Sequence, residues 1–156
     1  MALDYAAGVG QYTAIYAVKL GFFKTEVLSE DGRHQVTSFY MPGEVLGMDG
    51  ISAETHHCDA IALEDSEVCL IPFHELETIS VKIPTMQRLL HRVMSREIVR
   101  DQGMMMMLGA MRAEERVIAF LLNLSQRYAA RGYAAADFNL RMTREEIGSY
   151  LGLKLE

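Results

Sequence analysis

The sequence has few cysteines, few prolines and no long apolar run. Two cysteines among 156 residues are too few for a framework of disulfides. With three prolines, 23% charged and 50% apolar residues, the composition excludes a disordered or collagen-like chain and predicts one folded domain, or one small domain with part of another. No stretch approaches the roughly eighteen consecutive apolar residues of a membrane helix, and residues 1–5 lack the basic head and apolar block of a signal peptide. We therefore expect a soluble cytoplasmic protein without a membrane partner.

Charge is distributed unevenly along the chain. The formal net charge is −6, with −10 over residues 1–81, +5 over residues 82–131 and −1 over residues 132–156. An acidic total argues against a surface that coats nucleic acid. Four arginines recur every four residues and form one stripe on a helix: Arg88, Arg92, Arg96 and Arg100. We expect this stripe to pair with the acidic first half of the chain rather than to contact DNA.

The first half of the chain has the pattern of β-structure. Short runs rich in Val, Ile, Phe, Tyr and Thr predict five strands, at residues 14–17, 22–28, 35–41, 59–63 and 67–71. Asp31-Gly32 lies between the second and third runs and supplies the positive-φ turn that a hairpin needs. The pattern therefore predicts an antiparallel β-roll over residues 1–81.

A helical pattern follows the predicted roll. Residues 73–80 fit a two-turn helix, and Pro84 suits the first turn of a long helix that extends to residue 111. Spacings of four and three along this helix form a coiled-coil seam, the seam residues being Met94, Ile98, Asp101, Met105 and Leu108. We expect residues 82–111 to be a dimerisation helix.

Asp101 is the only charged seam residue. At a twofold axis it faces its twin, and this repulsion costs on the order of 1–4 kcal/mol in a partly desolvated interface, which makes dimerisation conditional. The alternative places Asp101 at the edge of the seam, paired with Arg96 or Arg100.

The C-terminal region, residues 112–156, predicts part of a DNA-binding domain. Residues 113–131 fit a helix with Gly132 at its C-cap, and residues 138–141 fit a strand. Thr143 and Glu146 then have the spacing of a capping box, and Gly152 ends the helix that it starts. A short helix followed by this turn is the first half of a helix-turn-helix, whose second helix would enter the major groove.

With these elements in order, the chain resembles the family of the cyclic-AMP receptor protein and the fumarate-nitrate reduction regulator (CRP/FNR), and its oxygen-responsive branch in particular. The stretches that carry the resemblance are Tyr16-Ala17-Val18, Ser29-Glu30-Asp31-Gly32, residues 41–47, residues 62–64 and 68–73, Glu97-Ile98 with Asp101-Gln102, Ala113-Glu114-Glu115-Arg116 and residues 142–153. It implies an α+β fold with an antiparallel β-roll, a long dimerisation helix and the start of a winged helix-turn-helix.

The resemblance also implies a function. The intact parent would be a homodimeric transcription regulator of anaerobic or redox-responsive genes, would work on duplex DNA with RNA polymerase, and would not be an enzyme. Thr143 and Arg144, at the start of the first helix of the helix-turn-helix, would contact the DNA backbone. In this family an acidic residue at the position of Asp101 restrains dimer formation.

Cysteines determine what the resemblance implies about cofactors. In the oxygen-responsive branch a [4Fe–4S] cluster is held by N-terminal cysteines and one internal cysteine, which Cys69 matches by its Val-Cys-Leu-Ile-Pro-Phe setting. No cysteine precedes Cys58, so we expect a cluster in the intact parent and none in this chain. From this comparison we expect a truncated chain, without the cysteine segment, the first strands and the recognition helix, in which Leu155-Glu156 are either native or added residues.

Cyclic nucleotide is not expected as a ligand. Members of the family that bind it carry an arginine beside a serine or threonine for the phosphate, and here the corresponding residues are His57-Cys58, with residues 47–50 in place of the usual Gly-Glu-Leu. Burying a phosphate without a guanidinium is costly.

Three alternatives remain open. A cupin-like β-roll module would bind a small molecule, and an isolated dimerisation fragment would have no activity of its own. A zinc site built from the residues His56, His57, Cys58, Cys69 and His74 has the right donors but irregular spacing, which favours a solvated loop. No nucleophile elbow or Gly-rich phosphate loop occurs in the sequence.

Overall fold

The computed structural model describes residues 12–154, so Leu155 and Glu156 lie outside the described residues. Six strands precede four helices: β1 Ala14–Leu20, β2 Phe23–Leu28, β3 His34–Tyr40, β4 Val45–Leu46, β5 Asp59–Ala62, β6 Glu67–Pro72, α1 Phe73–Lys82, α2 Pro84–Ala110, α3 Ala113–Ala129 and α4 Arg144–Leu151. The five strands expected from the sequence are confirmed. β4 was not predicted, since two residues are too few to show a period.

The strands form two three-stranded antiparallel sheets, ordered β4-β1-β6 and β3-β2-β5. Both sheets contribute to one core, in which Tyr16 and Val18 of β1 pack with Phe23 of β2 and Leu46 of β4. The apolar side chains are excluded from water on one face of each sheet, which is the main force that holds the two layers together. The predicted antiparallel roll is therefore confirmed.

A hairpin and a bulge shape the second sheet. Gly32, at φ 80°, turns the chain between β2 and β3 as the Asp-Gly pair predicts. Farther along, Thr25 pairs with Ser38 whereas Glu26 pairs with Val36, so β3 has one extra residue at this point. Thr25 and Glu26, the consecutive residues of β2 beside this bulge, are both buried. The buried Glu26 carboxylate is matched by Lys24 and His34, each 2.8 Å away.

The helices begin and end close to the expected residues. α4 has the predicted capping box, since Thr143 Oγ1 accepts from the Glu146 amide at 3.2 Å and Glu146 Oε2 accepts from the Thr143 amide at 2.7 Å. Gly152 ends α4 at φ 62°. α2 is one continuous helix of 27 residues. No helix within residues 12–154 combines the length and apolarity needed to cross a bilayer.

The prediction of a strand at residues 138–141 is wrong. This segment has no regular structure, and no other strand of the described chain lies beside it to exchange backbone hydrogen bonds. The Phe138 ring instead stacks on Tyr128 of α3, with centroids 4.9 Å apart and planes at 25°. Side-chain packing on a helix therefore replaces strand pairing here.

The chain divides into two compact units, residues 1–98 and 99–156. The first contains the roll, α1 and the first part of α2. The second contains the end of α2 with α3 and α4, and its buried apolar residues are Met107, Phe120, Leu124, Met142 and Leu151.

Candidate functional site

The loop after β4, residues 47–58, is organised around one carboxylate. Asp49 lies in a short 3-10 helix, Met48–Gly50. Its Oδ2 accepts hydrogen bonds from the amides of His57 at 2.7 Å and Cys58 at 3.3 Å. The Cys58 thiol donates to the same oxygen at 3.4 Å, and His56 Nδ1 lies 3.2 Å from Oδ1. We call this arrangement the Asp49 loop.

Two opposing effects act on the Asp49 carboxyl. Burial raises its pKa, and the hydrogen bonds from the His57 amide, His56 and Cys58 lower it. The hydrogen bonds outweigh burial, so the pKa of Asp49 is lowered from its ordinary value. The Asp49 loop therefore contains a partly buried negative charge with most of its hydrogen-bond capacity already used.

Tyr12 covers the Asp49 loop. Its ring meets His56 edge-on at a centroid distance of 5.2 Å and lies 5.5 Å from the ring of Phe73. A Cβ on Gly50 would come within 2.3 Å of Tyr12 Cδ2, so glycine is needed for this contact. Burial, followed by the nearby Asp49 charge, raises the pKa of the Tyr12 hydroxyl. The predicted solvated loop is thus wrong for His56, whose side chain is only 10% exposed.

The predicted metal and cluster ligands are not brought together. Cys69 is exposed on β6, opposite Ala17 of β1, whereas the half-buried Cys58 donates to Asp49. Within residues 12–154 no group of three or more His, Cys, Asp or Glu side chains is placed to hold a metal ion. A tetranuclear iron–sulfur cluster needs about four ligands, and the two cysteines of this sequence do not fit a complete one.

The seam residues lie exposed along α2. Met94 and Leu108 are about one-third exposed, whereas Ile98 and Met105 are 57% and 65% exposed. Asp101 is also exposed, and its carboxylate forms no ion pair with a described residue. The pairing with Arg96 or Arg100 that the alternative required is therefore absent among residues 12–154.

The prediction that the arginine stripe pairs with the acidic roll is wrong for three of its members. Arg88, Arg92 and Arg96 are exposed and form no ion pair with any residue between 12 and 154. The reason is the helical phase: the half-buried residues of this part of α2 are Met86, Leu90, Val93 and Glu97. An acidic side chain lies on that face, and Glu97 Oε2 accepts from the Tyr40 hydroxyl of the roll at 3.4 Å.

The second unit contains the predicted DNA contacts and one residue that the sequence did not reveal. Thr143 and Arg144 are both exposed at the start of α4. Tyr150 of α4 packs on Phe120 of α3, with ring centroids 5.6 Å apart. The missed residue is Arg116, whose guanidinium donates to the carbonyls of Leu108 at 2.7 Å, Met111 at 3.1 Å and Leu151 at 3.0 Å. Its sequence signals are a cation placed just after a helix break and its membership of the Ala113-Glu114-Glu115-Arg116 stretch that carries the resemblance.

The chain is similar to known regulators. The family model of the cyclic nucleotide-binding domain matches residues 8–82. The transcriptional regulatory protein Btr of Bordetella pertussis is 52% identical over 143 residues, and the transcriptional activator Anr of Pseudomonas protegens is 47% identical over 145 residues. The solved structure of FixK2 from Bradyrhizobium japonicum is 30% identical, matches with a TM-score of 0.85 and covers 98% of this chain and 73% of that one. The chain belongs to the CRP/FNR family.

Membership confirms the resemblance and the fold class stated above. A CRP-family regulator from Thermus thermophilus, TTHB099, matches with a TM-score of 0.74 at 16% identity, which shows the shared fold alone. The matches cover 92% and 93% of this chain but only 59% of Btr and of Anr. The chain thus spans about three-fifths of these curated relatives. Relatives named as regulators do not favour the cupin-like alternative.

Proposed function

We propose that this chain is the sensory and dimerising part, with the beginning of the DNA-binding domain, of a transcription regulator of anaerobic or redox-responsive genes. Residues 1–81 are the sensory roll, residues 82–111 the dimerisation helix and residues 112–156 the incomplete helix-turn-helix domain. The observation that carries the proposal is the similarity to Btr and Anr over nine-tenths of the chain. The regulator works in the cytoplasm, has RNA polymerase as its partner and is not an enzyme.

The exposed apolar row on α2 supports a homodimer. The apolar seam residues, spaced by four and three, are exposed to water along one side of α2. Such an apolar row on a long helix is typical of a surface that packs against a partner helix. A second copy presents the same row, so a parallel pairing about a twofold axis covers both. In the proposed dimer the two Asp101 carboxylates approach each other.

Contact with DNA is assigned to the start of α4. Thr143 and Arg144 are exposed at a helix N-terminus, where the helix dipole favours a phosphate. The test compares the complete regulator with its Arg144→Gln variant on a palindromic duplex in a mobility-shift assay. A loss of affinity of about tenfold that applies equally to all sequences supports a phosphate contact. Absence of sequence-selective binding by the unaltered regulator contradicts the proposed function.

The Asp49 loop supports the proposal that cyclic nucleotide is not the signal. Its amide donors are occupied by a carboxylate, and a phosphate there would meet a negative charge without a guanidinium. Titration calorimetry of this chain with cyclic AMP should show no binding. Micromolar affinity would contradict this part of the proposal.

Cys69 is assigned as one ligand of a [4Fe–4S] cluster in the intact regulator, with the other ligands outside residues 12–154. Its exposure on β6 makes the thiolate available. Anaerobic treatment of this chain with iron and sulfide should give no stable cluster. Broad visible absorption with about four irons per chain, lost on Cys69→Ser, would refute that expectation.

A further inference from the structure

Arg116 joins the C-terminal ends of two helices that are far apart in the sequence. It lies in the first part of α3, and its guanidinium donates to Leu108 and Met111 at the end of α2 and to Leu151 at the end of α4. The last carbonyls of a helix lack intrahelical donors and carry its negative dipole end. One cation therefore satisfies the ends of both helices.

The Leu108 carbonyl shows why this contact matters. The amide four residues farther along belongs to Arg112, and it donates to Glu115 Oε2 at 2.8 Å instead of continuing α2. Arg116 Nη2 takes its place at 2.7 Å. Removing the guanidinium would leave the Leu108 carbonyl without this charge-assisted donor.

A second, apolar contact lies beside the first. A Cβ built on Gly152, the C-cap of α4, comes within 3.4 Å of Leu108 Cδ2 and 3.6 Å of Arg116 Nη1. The turn after α4 therefore packs against the last turn of α2 as well as against the guanidinium. Three elements of the second unit meet at one side chain.

We propose that Arg116 is the positioning residue that couples the end of the dimerisation helix α2 to α4 of the DNA-binding domain. This role rests on the proposed function, because it gives α2 and α4 their tasks. The planar guanidinium has donors in fixed directions and reaches three carbonyls at once, whereas a lysine ammonium is a single point of charge. A change in the last turn of α2 is transmitted to α4 only while Arg116 holds both.

The test uses this chain and needs no DNA. Gly109 lies in the last turn of α2 with open space around its Cα, so Gly109→Ala stiffens this turn without a new contact. Native-state amide exchange is followed at residues 148–153. In the Arg116 chain, Gly109→Ala should slow exchange there by about threefold. In an Arg116→Lys background, the slowing should be confined to α2.

The outcomes separate coupling from a merely structural role. If Gly109→Ala slows amide exchange in α4 equally with arginine and with lysine at position 116, the proposal is overturned. It is also overturned if Gly109→Ala has no effect on α4 in the chain that retains Arg116, a result that requires no substitution at position 116. Glu114→Gln, an exposed change on the same helical turn, serves as the control and should preserve the response. If the complete regulator binds no DNA, the proposed function fails while the exchange result still decides the coupling.

Discussion

The Asp49 side chain holds together the loop after β4. Its carboxylate accepts hydrogen bonds from two backbone amides and one thiol and contacts a histidine, and these partners lie seven to nine residues away in the sequence. Hydrogen bonds to a charged acceptor contribute more than neutral ones. The Asp49 loop is in this way held by the protein's own carboxylate.

Asp49→Asn should destabilise the roll by about 2 kcal/mol. The neutral side-chain amide replaces a charged acceptor, and its NH₂ group would face donors that now bind the carboxylate. The pKa of Asp49 is lowered in the folded protein. Its contribution is therefore complete above the unfolded value of about 3.9 and is lost as the pH falls through the folded value. Urea unfolding at several pH values measures both effects. Asp65→Asn, at an exposed carboxylate, is the control, and an equal effect there would contradict the prediction.

In the connection between β1 and β2, Gly21 leaves no room for a side chain. Gly21 has φ 85°, and a Cβ there would lie 2.0 Å from Ser66 Oγ and 2.7 Å from Ser66 Cα. Gly32 in the β2–β3 hairpin has a similar φ of 80° but nothing within 4 Å. Both glycines therefore have a positive φ, but only at Gly21 would a Cβ collide with a neighbouring residue.

Gly21→Ala and Gly32→Ala therefore form a matched pair. Each alanine pays the left-handed backbone cost of about 1 kcal/mol. Only Gly21→Ala also forces the backbone of Ser66 to move, so its loss of unfolding free energy should exceed that of Gly32→Ala by at least about 1 kcal/mol. Chemical denaturation followed by far-ultraviolet circular dichroism compares them, and equal losses would show that the turn relaxes.

The cap of α4 offers a second matched pair. Thr143→Ala removes the side-chain acceptor for the Glu146 amide and should cost about 1 kcal/mol in the stability of α4, whereas Thr143→Ser retains the acceptor and should cost little. Amide exchange at residues 146–151 measures the difference. Equal protection in the two variants would mean that packing alone holds the helix.

Local patterns were predictable and long-range contacts were not. The Thr143–Glu146 capping box and the Asp31-Gly32 turn involve residues at most three apart, so composition and spacing reveal them. The strand expected at residues 138–141 failed because pairing depends on a neighbour that no local pattern shows. Arg116 and Leu151, which are 35 residues apart, likewise meet only in the folded chain. Helical spacing alone did not reveal that Arg88, Arg92 and Arg96 lie away from the roll.

At the scale of the whole molecule, the proposed homodimer covers the exposed seam of α2. Asp101→Ala removes a like-charge pair from the proposed interface and adds apolar contact, so it should tighten the dimer about tenfold or more. Salt screens the charges of the unaltered protein and should strengthen its dimer more than that of the variant. Sedimentation equilibrium at two ionic strengths measures both.

Arg96→Ala is the control, because this exposed arginine lies outside the seam. It should leave the dissociation constant unchanged. An unchanged or weaker dimer for Asp101→Ala would place the carboxylate off the interface and assign control of dimerisation to other residues of α2.

The ring pair of Phe120 and Tyr150 has a practical consequence for spectroscopy. The chain has seven tyrosines and no tryptophan, so one introduced indole could be excited selectively, at wavelengths that tyrosine does not absorb. Tyr150→Trp puts that fluorophore on α4, beside Phe120 at the position where ring centroids are now 5.6 Å apart. The wavelength of the tryptophan emission maximum would then report on the second unit only, whereas tyrosine emission averages over the chain. A difference in thermal unfolding between the two units could therefore be measured in one sample.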